Sequence, residues 1–276
     1  MCIRDRDYHV AMIICAVIIV AYTALGGFLA ASTTDLIQSI VMTIALVVVL
    51  GYGTSQAGGV DAVMDNAKSL AGYLSLTSTH DVVGNVAKPY GIITIISTLA
   101  WGLGYFGMPH VLLRFMAIED VKKLKLSRRV ATVWVVISMF VAVFIGVVGN
   151  AMSKVGVIPT LEDPETIIIV VAGVISQHGV LAAIVAGLIL AGILAATMST
   201  ADSQLLAASS AVSSDLLGSI LKDKETKKES MVADKVTLLL IAVVAMFIAR
   251  DPNSSVFTIV SLSLIHISEP TRRSYI

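Results

Sequence analysis

Long uncharged apolar runs alternate with short charged segments along this 276-residue chain. A helix needs about 20 consecutive apolar residues to cross the hydrocarbon of a bilayer. Six spans are read on this basis, at about 10–30, 36–60, 89–113, 130–151, 180–201 and 236–249, and a seventh begins at about 254. Only Ala31-Ser32-Thr33-Thr34-Asp35 separates the first two, so Asp35 is expected to open the second span. Residues 166–201 carry no formal charge over roughly 36 positions, too many for one simple crossing. Gln177-His178-Gly179 divides them into an interfacial or extracellular helix at about 164–176 and the fifth span. The pattern predicts an all-α integral membrane protein.

Composition agrees, with 57% hydrophobic and 14% charged residues, which is not the make-up of a soluble domain. The placement of charge adds an orientation. The segment 114–129 carries six Lys and Arg residues against Glu119 and Asp120, and 222–235 carries five lysines. By the positive-inside rule both are expected in the cytoplasm. The loops 61–88 and 152–165 are poor in Lys and Arg and are expected outside. The two sets alternate correctly across the predicted spans, which places Asp35 at an inner helix end. The lipid bilayer is therefore the expected partner. A net charge of zero gives no reason to invoke nucleic acid, and no obligate protein partner is evident. Of two cysteines, Cys2 lies at the extreme end and Cys15 in an apolar run, so no disulfide or metal framework is available.

The ends read differently from the rest. Met1-Cys2-Ile3-Arg4-Asp5 and the start of Arg6 can be written as ATGTGTATAAGAGACAG, whose reverse complement encodes Leu-Ser-Leu-Ile-His. Leu262-Ser263-Leu264-Ile265-His266 is that peptide. The two ends fit one inverted DNA repeat and look like translations of a transposase sequencing adapter. Residues 1–6 and 262–276 are therefore expected to be adapter-derived, with 7–261 as the natural segment.

Three constellations could carry chemistry. Trp101-Gly102-Leu103-Gly104-Tyr105-Phe106-Gly107-Met108-Pro109-His110 puts three glycines and a proline inside an apolar span. Every backbone polar group in lipid needs an internal partner, so such a break persists where it faces a cavity, an ion or a ligand. Trp101, Tyr105 and Pro109 recur every four residues and share a helical face, which suits a small ligand with an apolar ring and a charged head. A tightly packed kinked helix is the alternative. In Ala195-Ala196-Thr197-Met198-Ser199-Thr200-Ala201-Asp202-Ser203-Gln204, residues Ala196, Ser199, Thr200 and Ser203 share a face that offers the oxygen ligands a hard monovalent cation wants. Back-bonding of the hydroxyls to their own helix, or glue between helices, would explain the same residues. Asp202 adds an acid in or near the membrane, a functional candidate by default, or one already in headgroup water. Asp35 is either a helix N-cap or a functional acid. The Lys and Arg loops are read as topogenic, and His110 as an interfacial hydrogen-bonder. No Ser/His/Asp set, paired carboxylates or phosphate loop is evident, so no enzyme is expected.

These residues together resemble the sodium:solute symporter family, and within it the sodium/proline branch. The resemblance rests on Tyr22-Thr23-Ala24-Leu25-Gly26-Gly27-Phe28-Leu29-Ala30, Thr34-Asp35, WGLGYFGMPHVLLRFMA, LAATMSTADSQLLAASSAVSSDL and Asp251-Pro252-Asn253-Ser254. It implies part of a LeuT-type inverted-repeat transporter core. The first two spans would match the fourth and fifth core helices, and the WGLGYFG span the unwound sixth. The remaining spans would match the seventh to ninth and the start of the tenth, while the first core helix is missing. By the same resemblance Trp101, Tyr105 and Pro109 would line the substrate site. Ala196, through its carbonyl, and Ser199 and Thr200, through hydroxyls, would hold sodium, the co-transported ion. Asp35 would lie on the ion's path to the cytoplasm. Met108 stands where a bacterial proline carrier has glutamine, and Asp202 where it has a small hydroxyl residue, so Asp202 would add charge to an inner vestibule. The implied function is sodium-coupled uptake of proline by a multi-pass protein of a bacterial cytoplasmic membrane. A symporter for pantothenate, a sugar or another amino acid, and a transporter-like membrane sensor, remain open.

Overall fold

A computed structural model describes residues 8–81, 84–105, 108–161, 163–213 and 227–250, with the side chains of Trp101, Leu103, Tyr105 and 227–231 also outside the description. Eight helices are described: α1 (Tyr8–Gln56), α2 (Val60–Ser69), α3 (Ile92–Tyr105), α4 (Pro109–Met116), α5 (Leu124–Val155), α6 (Ile167–Ser176), α7 (Val180–Ser210) and α8 (Lys227–Ile248). The end segments 1–6 and 262–276 and the predicted span from 254 lie outside the described residues. Three apolar helical stretches are long enough to cross a membrane, Tyr8–Gln56, Val121–Val155 and Val180–Ser213. Their apolar side chains are largely uncovered: on α5, Val133, Val136, Ile137, Phe140 and Val143 are all exposed and form one stripe. In water that stripe would be costly; against acyl chains it is the expected surface.

Helix α1 covers the first two predicted spans. At 1.5 Å per residue its 49 residues would reach about 74 Å, over twice the hydrocarbon thickness. The chain solves this at Gly27, whose φ of 59° and ψ of −154° interrupt the helical backbone. That combination is open almost only to glycine. The break therefore falls at Gly27 and not at 31–35, where Thr33 and Thr34 donate their hydroxyls to the carbonyls of Leu29 and Ala30 within a continuing helix. The sequence pattern misplaced the boundary because a polar cluster looks like a loop, whereas threonines can satisfy their hydroxyls on their own helix.

Two compact units divide the chain. One comprises Met1–Leu36, Leu99–Glu119 and Thr197–Ile276, the other Ile37–Thr98 and Asp120–Ala196. The second unit holds the larger apolar core, in which Ala45, Val49, Val63, Ile145, Val148, Met152, Val171, Ile175 and Ile189 are buried together. Small residues let its helices close up. A Cβ on Gly192 would stand 2.9 Å from that of Ala45, and one on Gly53 would stand 2.8 Å from Val148 Cγ1. Close approach over small residues is how helices associate where lipid offers no hydrophobic drive.

The stretch 61–88, expected as a loop, is partly structured. Helix α2 buries Val63, Asn66 and Ala67, and Asn66 Nδ2 donates to Asn150 Oδ1 of α5 at 2.8 Å. Strands β1 (Ser78–Asp81) and β2 (Val86–Pro89) then pair antiparallel, and Lys88 meets Asp81 across them. This hairpin is the one departure from helix among the described residues. Helices α5 and α6 both follow short turns capped by an aspartate: Asp120 accepts the Lys122 N–H and Asp163 the Glu165 N–H, each at 2.9 Å. At about 15 Å, α6 is too short to cross a bilayer.

The Gly27 geometry gives a test. Gly27→Ala should cost about 1–3 kcal/mol through strain at positive φ. Gly51→Ala, in open space on the same helix, should be neutral or slightly stabilising. Thermal unfolding in detergent reads both, and equal midpoints for the two variants would remove the proposed bend.

Candidate functional site

The apolar span at 89–113 is broken where its sequence is least helical. Helix α3 is described as far as Tyr105, and Pro109 opens α4 at its first turn, where a missing N–H costs nothing. Between them Met108 is extended, with φ −67° and ψ 116°, and its side chain is buried. Its carbonyl accepts the N–H groups of Val111 and Leu112, both at 3.1 Å, so the start of α4 is satisfied locally. Alone α3 reaches about 21 Å and α4 about 12 Å, neither enough to cross. Phe106 and Gly107 lie outside the described residues, as do the side chains of Trp101 and Tyr105. Pro109 is exposed. A Cβ added to Gly102 would meet nothing within 4 Å, so close packing does not explain the glycine there.

Ala196, Ser199 and Thr200 lie on α7, with Ala196 and Ser199 half-buried and Thr200 exposed. Ser203, one turn on, is buried and donates its hydroxyl to the Ser199 carbonyl at 2.7 Å. Back-bonding thus accounts for Ser203, the member of the stripe the family comparison does not use.

The two acids come together in one polar cluster. Asp35 lies well inside the second half of α1, so it is not an N-cap. It is 8% exposed, and its Oδ2 pairs with Arg114 of α4. Its Oδ1 is buried and has no hydrogen-bond partner among the described residues. Arg114 Nη2 also donates to Ser203 Oγ at 2.5 Å. Asp202 is fully buried at 0% exposure, which removes the headgroup-water reading. Its Oδ2 accepts from Tyr22 OH at 2.7 Å, and its Oδ1 lies 3.1 Å from Ser203 Oγ. Tyr22, Arg114, Ser203, Asp35 and Asp202 therefore form a continuous chain drawn from α1, α4 and α7 of one unit. Burying two carboxylates is tolerable only with such partners.

Sequence reasoning found both acids but not what joins them. Arg114 was counted with the loop cations, although it stands five residues past Pro109, before the basic segment proper. Tyr22 opens one of the stretches that carry the resemblance, but nothing in the sequence links it to Asp202.

A cavity of about 620 Å³ opens beside this cluster. It is lined by the Gly27 bend, by Leu113 and Met116 of α4, by the end of α7 and by Asp234, Lys235 and Leu238 of α8. Of the described side chains, Pro109, Ser199 and Thr200 do not line it, and its walls are mainly apolar, so it is not assigned to the substrate. Among the described residues no group of three His, Cys, Asp or Glu side chains could hold a metal ion.

The sodium:solute symporter family model matches residues 5–271. The osmoregulated proline transporter OpuE of Bacillus subtilis is 36% identical over 92% of this chain and 49% of its own length. The high-affinity proline transporter PutP of the same organism is 37% identical over 94% of this chain and 52% of its own. Sodium/proline symporter 2 of Staphylococcus saprophyticus is 37% identical over 92% of this chain and 47% of its own. The chain spans about half the length of the curated relatives it matches. A family match over nearly the whole sequence, on a chain of long apolar helices with a broken span, leads to one assignment: this chain belongs to the sodium:solute symporter family.

Proposed function

We propose that the whole protein imports proline together with sodium across a bacterial cytoplasmic membrane. The observation that carries the reading is the extended backbone at Met108, just before Pro109 opens α4, inside an apolar span. Freed backbone groups at membrane depth need a ligand or water, and transporters place their sites at such breaks. The proline and sodium names of the relatives point to the cargo.

The residues divide the work. Trp101, Tyr105 and Pro109 supply apolar walls for the pyrrolidine ring. The Ala196 carbonyl and the Ser199 and Thr200 hydroxyls replace part of the hydration shell of sodium. Asp35, with Oδ1 unpartnered, receives the ion on its way inward. Asp202 keeps negative charge near that exit and Tyr22 holds it in position. Sodium favours the outward-facing state with a formed substrate pocket, and substrate closes the outer side. Coupling arises because both ligands prefer the same state. This is transport and not catalysis: no bond in either cargo changes.

The first test is uptake of labelled proline by vesicles holding the whole protein, with and without an inward sodium gradient. Uptake should require sodium, and excess unlabelled proline should abolish it. Sodium-driven flux that proline fails to inhibit would assign another solute.

Ser199→Ala combined with Thr200→Ala should raise the sodium concentration for half-maximal uptake by roughly ten-fold, since two oxygen ligands are lost. An unchanged sodium dependence would remove these residues from the ion site. Trp101→Ala should raise the proline KM by roughly five-fold or more through loss of an aromatic wall, with a smaller change in sodium dependence. The reverse order would reject the wall.

A further inference from the structure

Arg114 is the side chain that joins the parts of the cluster. One nitrogen, Nη2, pairs with Asp35 Oδ2 and donates to Ser203 Oγ. Ser203 in turn holds the Ser199 carbonyl, next to the proposed sodium ligands. Arg114 rides on α4, the eight-residue helix that begins with Pro109 at the interruption. The segment proposed to feel the substrate and the segment proposed to feel the ion are thus tied through one guanidinium.

Three features suit a tie that opens. The contact uses a single nitrogen and not the two-pronged fork that makes arginine–carboxylate pairs strongest. The partners are unequally placed: the Arg114 side chain is 42% exposed and that of Asp35 8%, so the arginine can swing into solvent while the acid stays. Among the described residues Asp35 Oδ1 has no hydrogen-bond partner, so an arriving cation has an oxygen to occupy while Oδ2 is still held.

We propose that Arg114 is a latch on the inward route of the ion. Paired with Asp35, it takes up the carboxylate charge and sets a fixed positive charge where a cation must pass. The shift of α4 that follows substrate binding draws the guanidinium off Asp35 and opens the route. Sodium then leaves only with its co-substrate. Arg114 acts through Asp35 and is a positioning residue. The latch rests on the sodium-coupled reading above.

The test uses proteoliposomes holding the whole protein. Sodium-driven uptake of labelled proline is measured first, and its absence would end the transport reading and the latch with it. Radioactive sodium flux is then followed without proline. Arg114→Gln should raise this flux about ten-fold, within the usual range of coupling between sites, and leave the proline KM within about two-fold. Arg114→Lys should restore most of the tightness. Ser203→Ala, which keeps the Arg114–Asp35 pair but removes the second acceptor along with the Ser203 bonds to Ser199 and Asp202, should leak in the same direction and less; it serves if Arg114→Gln fails to elute as a folded species. Arg114→Gln combined with Asp35→Asn should leak no more than the worse single variant, because both break one contact. Folded Arg114→Gln or Ser203→Ala protein with wild-type sodium flux in the absence of proline would overturn the latch while sparing the transport reading.

Discussion

In hydrocarbon a backbone N–H or C=O has no water to turn to, and that single constraint organises this chain. It makes helices obligatory, and it makes any interruption costly unless something else satisfies the freed groups. Among the described residues two apolar spans are interrupted all the same. At Gly27 the break is a bend that only glycine tolerates, and it divides one over-long helix into two workable lengths. Between Tyr105 and Pro109 the break splits a span into two pieces, each too short to cross, with Met108 extended between them. The first break solves a problem of length. The functional reading grows from the second.

The second constraint is charge. Two buried carboxylates in one unit would repel each other and be poorly solvated. The chain meets this by recruiting Tyr22, Ser203 and Arg114 from three helices. The result is not a saturated network. Among the described residues one oxygen of Asp35 has no partner, and one guanidinium nitrogen carries two bonds. A network built only for stability would gain from closing those gaps. Left open, it can respond to a cation.

How much was legible beforehand follows from the range of each signal. Apolar run length is a local property, so α5, α6 and α7 were readable from sequence. The broken span was also readable, because glycine and proline act on their own backbone. The boundary between the first two spans was not. A Ser/Thr/Asp cluster looks like a loop until its hydroxyls are seen to bond their own helix, whereas the decisive signal was the Gly26-Gly27 pair. Helix α2 and the β1–β2 hairpin were missed because their short polar segments owe their form to packing on α5 and to each other. The acids could be flagged one by one, since a carboxylate near lipid is conspicuous. Their meeting depends on separations of 79 to 180 residues, which no periodicity encodes. Arg114 was hidden in plain view, as one more cation beside a basic loop.

The central claim is that one protein binds sodium and proline in the same state, so that each raises the affinity for the other. Linkage requires the two effects to be equal. Calorimetric titration of the purified whole protein with proline at several sodium concentrations measures one effect, and titration with sodium at several proline concentrations measures the other. The account predicts that proline affinity rises with sodium and that the two factors agree. Proline binding of equal strength with and without sodium would contradict it.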